Sequence, residues 1–366
     1  MKLLVTGDYF ISESAHVTPD DNLKRLFEET DYRVVNYEGP VWSDDYHNLP
    51  AKSGPRLMQS ASGIQVLRDL KVDALTLANN HIMDQGIDGY TKTVGMLDGF
   101  NLIGAGKWDE AYGLKVIEID GFKLGLINLC EMQFGMLADE WTQGDDAVGC
   151  AWVNHKRVNQ LIMGSKERVD SLVAVVHAGV EMTDVPLPEW RDRYREMIEL
   201  GCDAVIAHHT HTVQGYEIYK GKPIAYSLGN FCFSDISETC GPEWHQGAIA
   251  VLDIAKDGIA IDIHGCRYEN GILSLADRKE WGGTMDKLCG YLSDVVYMDR
   301  VNESCRRLMT DYWNLFAMGG LLGAKSLTLR NVVRGLAGKC NRVHLLNNIR
   351  CESHRWCICR ALDLES

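Results

Sequence analysis

A chain of 366 residues with 46% hydrophobic and 24% charged side chains has an ordinary globular composition, long enough for two domains or one large domain with an appendage. Its formal net charge of −14 argues against a general nucleic-acid binder, because surfaces that neutralise phosphates are basic. The apolar run between Lys2 and Asp8 is too short for a signal peptide, and nowhere do about 18 apolar residues follow one another as a bilayer span requires, so a cytoplasmic location is expected.

In chain order, KLLVTGD reads as a buried strand ending in Gly7 and Asp8, and DDNLKRLFEETD as an amphipathic helix. YRVVNYEG is a second strand, closing on Asn36 and Glu38. ASGIQVLRDLK is a helix, and VDALTLANNH a third strand whose end carries Asn79, Asn80 and His81, with Asp84 just beyond. DGYTKTVGMLDGF is again helical. LKVIEIDGFKLGLINL predicts a hairpin turning at Asp120-Gly121 and containing the fourth strand. SLVAVVHAG, CDAVIAHHTH and KPIAYSLGNF are the fifth, sixth and seventh strands, with the helix EWRDRYREMIELG between the first two of these. GAIAVLDIAKDGIAIDIHGCRY predicts a second hairpin, turning at Lys256-Asp257-Gly258. Helical periodicity runs from Asp286 to Gly323 and returns in KSLTLRNVVRGLAG, while the terminal forty residues give no clear pattern.

Short Val/Ile/Leu runs bounded by Gly, Asp or Asn, alternating with amphipathic helices, specify an α/β protein with a largely parallel sheet. The expected division is residues 1–272 as the α/β domain and 273–366 as a helical extension. Eleven Lys and Arg against five Asp and Glu between Arg300 and Ser366 make that extension basic. Its plainest reading is a solvated helical face; contact with phosphate, a membrane surface or a partner is the other. Twelve cysteines are scattered without C-x-x-C pairs and read as small buried hydrophobes. The group Cys351, His354, Cys357 and Cys359 has the residue types of a zinc site, as an alternative reading, but fits no common zinc-finger spacing.

Chemistry gathers at the strand ends: Asp8; Asn36 and Glu38; Asn79, Asn80 and His81; His177 with Glu181; His208, His209 and His211; Asn230. The carboxyl ends of parallel strands line one crevice, so these groups are expected to converge. Any one alone is an ordinary turn or capping residue; all of them together are not. Imidazole, carboxylate and amide in combination suit Mn²⁺, Zn²⁺ or Fe²⁺, whereas an all-oxygen set would suit Mg²⁺ or Ca²⁺. Six or seven donors exceed the needs of one ion, so two ions sharing a carboxylate, about 3.5–4 Å apart, is the economical reading. His81, beside Asn80, is placed as a proton or oxyanion donor. Asp84 is expected to cap the helix that follows it, with a supporting role at the site as the alternative. Glu181 divides evenly between binding substrate and capping the segment TDVPLPEW. Ser227 lacks a G-x-S-x-G elbow, and Asn230 is expected to hold the histidine loops.

The series TGDYF, NYEGPV, ANNHIMDQGIDG, HAGVE, IAHHTHTVQGYE and YSLGNFCF resembles, in order, the motifs of CapA-type proteins of capsule and poly-γ-glutamate synthesis, in the calcineurin-like metallophosphoesterase superfamily. The resemblance covers roughly residues 1–270. It implies a layered metallophosphatase-like α/β/α sandwich and one or two divalent ions. The metal ligands it implies are Asp8, Glu38 in the place of a bridging Asp, Asn80, His177, His209 and His211. It further implies His81 as proton donor, with Asn36 and His208 in support; Asn79, at the same strand end, is expected to support the site or bind substrate. Tyr9-Phe10 stands where the superfamily has the histidine of Asp-x-His, leaving the first metal short of a ligand, and Ala178 stands where relatives carry Trp. The implied function is metal-dependent phosphoester hydrolysis in polymer synthesis, acting on a small-molecule or polyanionic substrate beside capsule-synthesis proteins. The alternative is a non-catalytic, metal-containing component that binds or exports a polyanion.

Overall fold

The computed structural model describes residues 1–42, 49–234, 241–318 and 342–365. The chain first lays down four parallel strands, β1 (Lys2–Phe10), β2 (Tyr32–Tyr37), β3 (Ala74–Thr76) and β4 (Asn101–Ile103). The crossovers between them carry α1 (Asp21–Glu28), α2 (Ser62–Asp69) and α3 (Gly86–Met96). A second sheet follows, from β5 (Lys115–Ile119), β6 (Phe122–Cys130), β7 (Ser171–His177), β8 (Ala204–His208), β9 (Tyr216–Tyr219) and β10 (Lys222–Ala225). Its order is β9-β10-β8-β7-β6-β5, parallel in the middle and antiparallel at both edges, with α4 (Lys156–Ser165) and α5 (Pro188–Leu200) as crossovers. The chain then returns to the first sheet. β11 (Asn230–Phe233) lies parallel to the end of β1, and β12 (Gln246–Ala255), β13 (Gly258–Glu269) and β14 (Ile272–Leu275) continue it antiparallel.

Side-chain alternation along each strand sorts the core into layers. Leu3, Val5 and Val34 of the first sheet meet Leu124, Leu126, Val173, Val175 and Ile206 of the second, forming the seam between them. Leu4, Val35 and Leu75 face outward to Leu23, Phe27 and Leu67 of α1 and α2. Leu172, Ala174, Val176 and Val205 face outward to Val158, Trp190 and Tyr194 of α4 and α5. The α/β/α layering expected from the sequence is present, and its β layer is two sheets packed face to face.

Both hairpins turn as the sequence specifies. Asp120 and Gly121 have φ of 52° and 78°, the pair of positive values a two-residue type I′ turn needs. The seventh expected strand is corrected, because KPIAYSLGNF divides between the two sheets. Its first half is β10 and its second half is β11, and the chain breaks at Gly229, where φ is +59° and the amide donates to Ser227 Oγ at 3.0 Å. The third strand is also shorter than expected, three residues long.

Beyond β14 come α6 (Arg278–Gly290), α7 (Tyr297–Met318), α8 (Arg342–Arg350) and α9 (Glu352–Glu365). Tyr297, Val301, Cys357 and Ile358 join the layer outside the second sheet. The helix expected over residues 325–338 lies outside the described residues. No helix among the described residues is long and apolar enough to cross a membrane.

Candidate metal centre

The ends of β1, β2, β7 and β8 meet where the two sheets face each other. Asp8, Glu38, His177 and His208 are each 0% exposed there. The close fit begins at Gly7, where a Cβ would stand 1.9 Å from the Gly229 carbonyl oxygen; only glycine lets β1 approach that segment and brings Asp8 into register with Asn230. The loop after β8 is held in left-handed backbone, φ +103° at His209 and +57° at His211, a conformation costly for residues with a Cβ and one that recurs at functional sites. The His209 amide donates to Asp8 Oδ2 at 3.1 Å, and Thr210 Oγ1 donates to Ser227 Oγ at 2.9 Å, tying the loop in place.

Two groups of donors form around Asp8. In the first, His208 Nδ1 is 2.8 Å and His177 Nδ1 3.5 Å from Asp8 Oδ1, and the two imidazole nitrogens are 2.8 Å apart. Donors held about 2.1 Å from one ion at right-angle to tetrahedral spacing stand about 3.0–3.4 Å apart, so this spacing suits a single cation. The second group is Asp8, Glu38 and His211. His211 Nδ1 is 3.7 Å from Asp8 Oδ2 and bonds Asn230 Oδ1 at 2.8 Å. Asp8 is therefore the carboxylate common to both groups. His177 faces both sides, with Nε2 2.8 Å from Asn80 Oδ1 and 3.9 Å from Glu38 Oε1.

The polar atoms left over test whether a cation fits. Both carboxylate oxygens of Glu38, His208 Nε2 and His209 Nδ1 are buried without a hydrogen-bond partner. A buried carboxylate without a hydrogen-bond donor is strongly unfavourable, and a divalent ion is a group that could supply what is missing. Charge states agree. Burial, then Asp8 and Glu181, push the Glu38 carboxyl well above its usual range. Burial also raises the Asp8 carboxyl, but His208 and His177 outweigh that and hold it well below. Burial and the neighbouring His209 push His177 well below the ordinary imidazole range, leaving it neutral, as a ligand must be.

His81 lies at one side of the group, Nε2 3.9 Å from Glu38 Oε1. Its Nδ1 is 2.7 Å from Asp84 Oδ2 and 2.9 Å from Lys52 Nζ. Burial and Lys52 lower its pKa to about 4, so the ring is uncharged at neutral pH. The capping role expected of Asp84 is corrected: the N-cap of α3 is Gln85, and Asp84 binds His81, the Leu57 amide and Lys52 instead. Capping by Glu181 is corrected too, since α5 starts after Leu187 without a side-chain cap. Glu181 is exposed and lines a cavity of about 390 Å³ that opens over Asn80, His81 and His211 and is walled by Phe233 and Trp244.

The remaining expected residues lie around this group. Asn36 donates to Asp8 Oδ1 at 2.8 Å. Asn79 accepts from the amides of His81 and Ile82 and donates to the Tyr37 carbonyl, stitching β2 to the turn after β3. Ser227 and Asn230 hold the histidine loop, Asn230 Nδ2 also donating to the Trp244 carbonyl at 2.9 Å. His209 lies outside both donor groups; its ring packs 4.3 Å from that of His177 and its Nε2 meets Glu131 Oε1 at 3.1 Å. The terminal cysteines scatter: Cys351 donates to Glu131, Cys357 lies beside Cys305 and Cys359 is exposed.

Sequence reasoning missed Glu131 and Lys52. Glu131 directly follows β6, so the strand-end rule that found His177 applies to it equally. Lys52 sits in an irregular loop with no periodic signal.

The model of the family "Bacterial capsule synthesis protein PGA_cap" matches residues 3–235. The chain belongs to this family. The PGA_cap chain is 29% identical over 213 residues to the PGA biosynthesis protein CapA of Bacillus subtilis (strain 168), covering 57% of this chain and 54% of that protein. It is 26% identical over 250 residues to the capsule biosynthesis protein CapA of Bacillus anthracis, covering 65% and 59%. The matched stretch thus spans little more than half of these relatives. Among solved structures it is similar to TT1561 of Thermus thermophilus, at 10% identity and TM-score 0.38, covering 71% of this chain and 97% of that one.

Proposed function

We propose that this PGA_cap protein serves capsule- or poly-γ-glutamate-type polymer synthesis through a metal-dependent phosphoesterase site. The observation that carries the proposal is the set of buried, unpartnered donors around one shared carboxylate. Asp8, His177 and His208 hold one divalent ion, with His208 supplying the donor that the missing Asp-x-His histidine would have given. Asp8, Glu38 and His211 hold a second, and Asn80 and His209 stand beside them. Such ions, when bound, supply Lewis acidity and an activated water for attack on phosphorus.

This chain's own residues do the rest. Asn80 and His211 line the cavity at the metal side and meet an anionic group that enters it. Asp84 accepts from both Lys52 Nζ and His81 Nδ1, which holds the ring with Nε2 toward Glu38 and the cavity, where it meets the departing oxygen. Trp244 and Phe233 wall the cavity against water. Residues 1–272 carry this chemistry, and residues 273–366, whose sequence is basic from Arg300 onward, are an extension available to a membrane surface or to other capsule-synthesis proteins.

The test uses p-nitrophenyl phosphate and bis(p-nitrophenyl) phosphate with added Mn²⁺. Saturable turnover, lost in Asn80→Ala and His81→Ala, is expected. Full metal loading without turnover of either ester would overturn the hydrolytic step and leave a metal-held site that binds a polyanion.

A further inference from the structure

Glu131 is 0% exposed and lies at the end of β6, yet neither donor group around Asp8 includes it. Its Oε1 stands 3.1 Å from His209 Nε2 and also accepts from Gln133 Nε2 at 3.0 Å and the Cys351 thiol at 3.6 Å. Its Oε2 accepts from Ser353 Oγ, which itself accepts from Trp190 Nε1 at 2.8 Å. Ser353 lies in the first turn of α9 and Cys351 directly precedes that helix. That start is bolted to the segments that follow β6 and precede α4 by Glu352, which accepts from Trp152 Nε1 at 2.6 Å, Asn154 Nδ2 at 3.0 Å and the Met132 amide at 2.8 Å. Two carboxylates are thus buried to join one helix to one histidine. An apolar contact would join them at lower cost, so the polar form needs a reason beyond cohesion.

The reason lies in the imidazole. With its Nε2–H donated to Glu131, His209 carries its lone pair on Nδ1, the nitrogen that is buried with no other partner. A histidine held by a carboxylate on one nitrogen and free on the other is the form in which metal-ligating histidines are oriented. We infer that Glu131 is a positioning residue that fixes the tautomer and ring of His209 for the metal centre, and that α9, through Ser353 and Cys351, holds Glu131 in turn. The inference rests on the metal reading above and extends it. The C-terminal helix lies beyond residue 235, where the family match ends, and yet supports the centre.

Full-length wild type, Glu131→Ala, Glu131→Gln and Ser353→Ala are stripped with chelator and titrated with Co²⁺, read by its visible absorption and by metal content. Glu131→Ala should weaken binding of the ion nearest His209 by about 10–100-fold and alter the Co²⁺ spectrum. Glu131→Gln, whose carbonyl still accepts from His209, should restore most of the affinity. Ser353→Ala should weaken binding several-fold, and it carries the test if Glu131→Ala does not fold, as judged by the near-ultraviolet circular dichroism of the metal-free protein. In a His209→Ala background, Glu131→Ala should add nothing. Equal affinities for wild type, Glu131→Ala and Ser353→Ala, or the same loss with and without His209, would overturn the inference alone. A wild type that takes up no Co²⁺ would overturn the metal centre, and the inference with it.

Discussion

Replacing Glu38 by Gln should stabilise the metal-free protein and destabilise the metal-loaded one. Both oxygens of Glu38 are buried without a partner, and its neighbour Asp8 is itself a carboxylate. An unpaired buried charge costs several kcal/mol after relaxation, whereas an unpaired carboxamide costs about 1–3 kcal/mol. The substitution, nearly equal in volume, should therefore gain about 1–3 kcal/mol in chelator. The sign depends on pH. A carboxyl raised in the folded state loses stability as pH climbs above its unfolded value, so the gain should vanish near pH 4 and reach full size in alkaline solution. With Mn²⁺ at a thousandfold excess over Kd, wild type gains about 4.1 kcal/mol that the variant lacks, and the ranking reverses. Urea unfolding with EDTA and with MnCl₂, at two pH values, reads all four quantities. A variant less stable than wild type in EDTA at alkaline pH would refute the reading of Glu38 as a frustrated ligand.

His81 should make the chelated protein acid-sensitive. Its folded pKa of about 4 lies below the ordinary 6.5, so the unfolded chain binds a proton in that window and the folded chain does not; stability falls as pH drops through it. Between pH 7 and 5 this one group contributes about 2 kcal/mol of loss, which His81→Asn should remove from the difference between urea midpoints. Lys52→Met breaks a buried ion pair with Asp84 and should cost about 3–5 kcal/mol. Because Lys52 helps hold His81 low, the His81 titration followed by NMR should move upward in the same variant. Gly7→Ala places a Cβ against the Gly229 carbonyl and should cost about 3 kcal/mol in thermal unfolding, with weakened metal uptake as Asp8 shifts.

The strands and their polar ends were legible because both signals are local. A doubly covered parallel strand reads as an unbroken apolar run, and the residue that leaves its carboxyl end must face the crevice. What the sequence concealed was set by register and by distant chain. Neighbouring residues on a strand point to opposite faces, so whether His208 or His209 meets Asp8 depends on the pairing of His177 with His208 across β7 and β8. The run KPIAYSLGNF looks continuous because only Gly229 marks the place where it changes sheets. Asp84 looks like a cap until Lys52, 32 residues earlier, arrives beside it. Glu131 draws its meaning from Ser353, 222 residues later.

Anomalous diffraction from Mn²⁺-soaked crystals, collected on both sides of the Mn absorption edge, bears most directly on the metal centre. The expected result is one or two peaks within bonding distance of Asp8, one reached also by His177 and His208 and the other by Glu38 and His211. A map with no peak at Asp8, or with ions only at surface carboxylates, would contradict it.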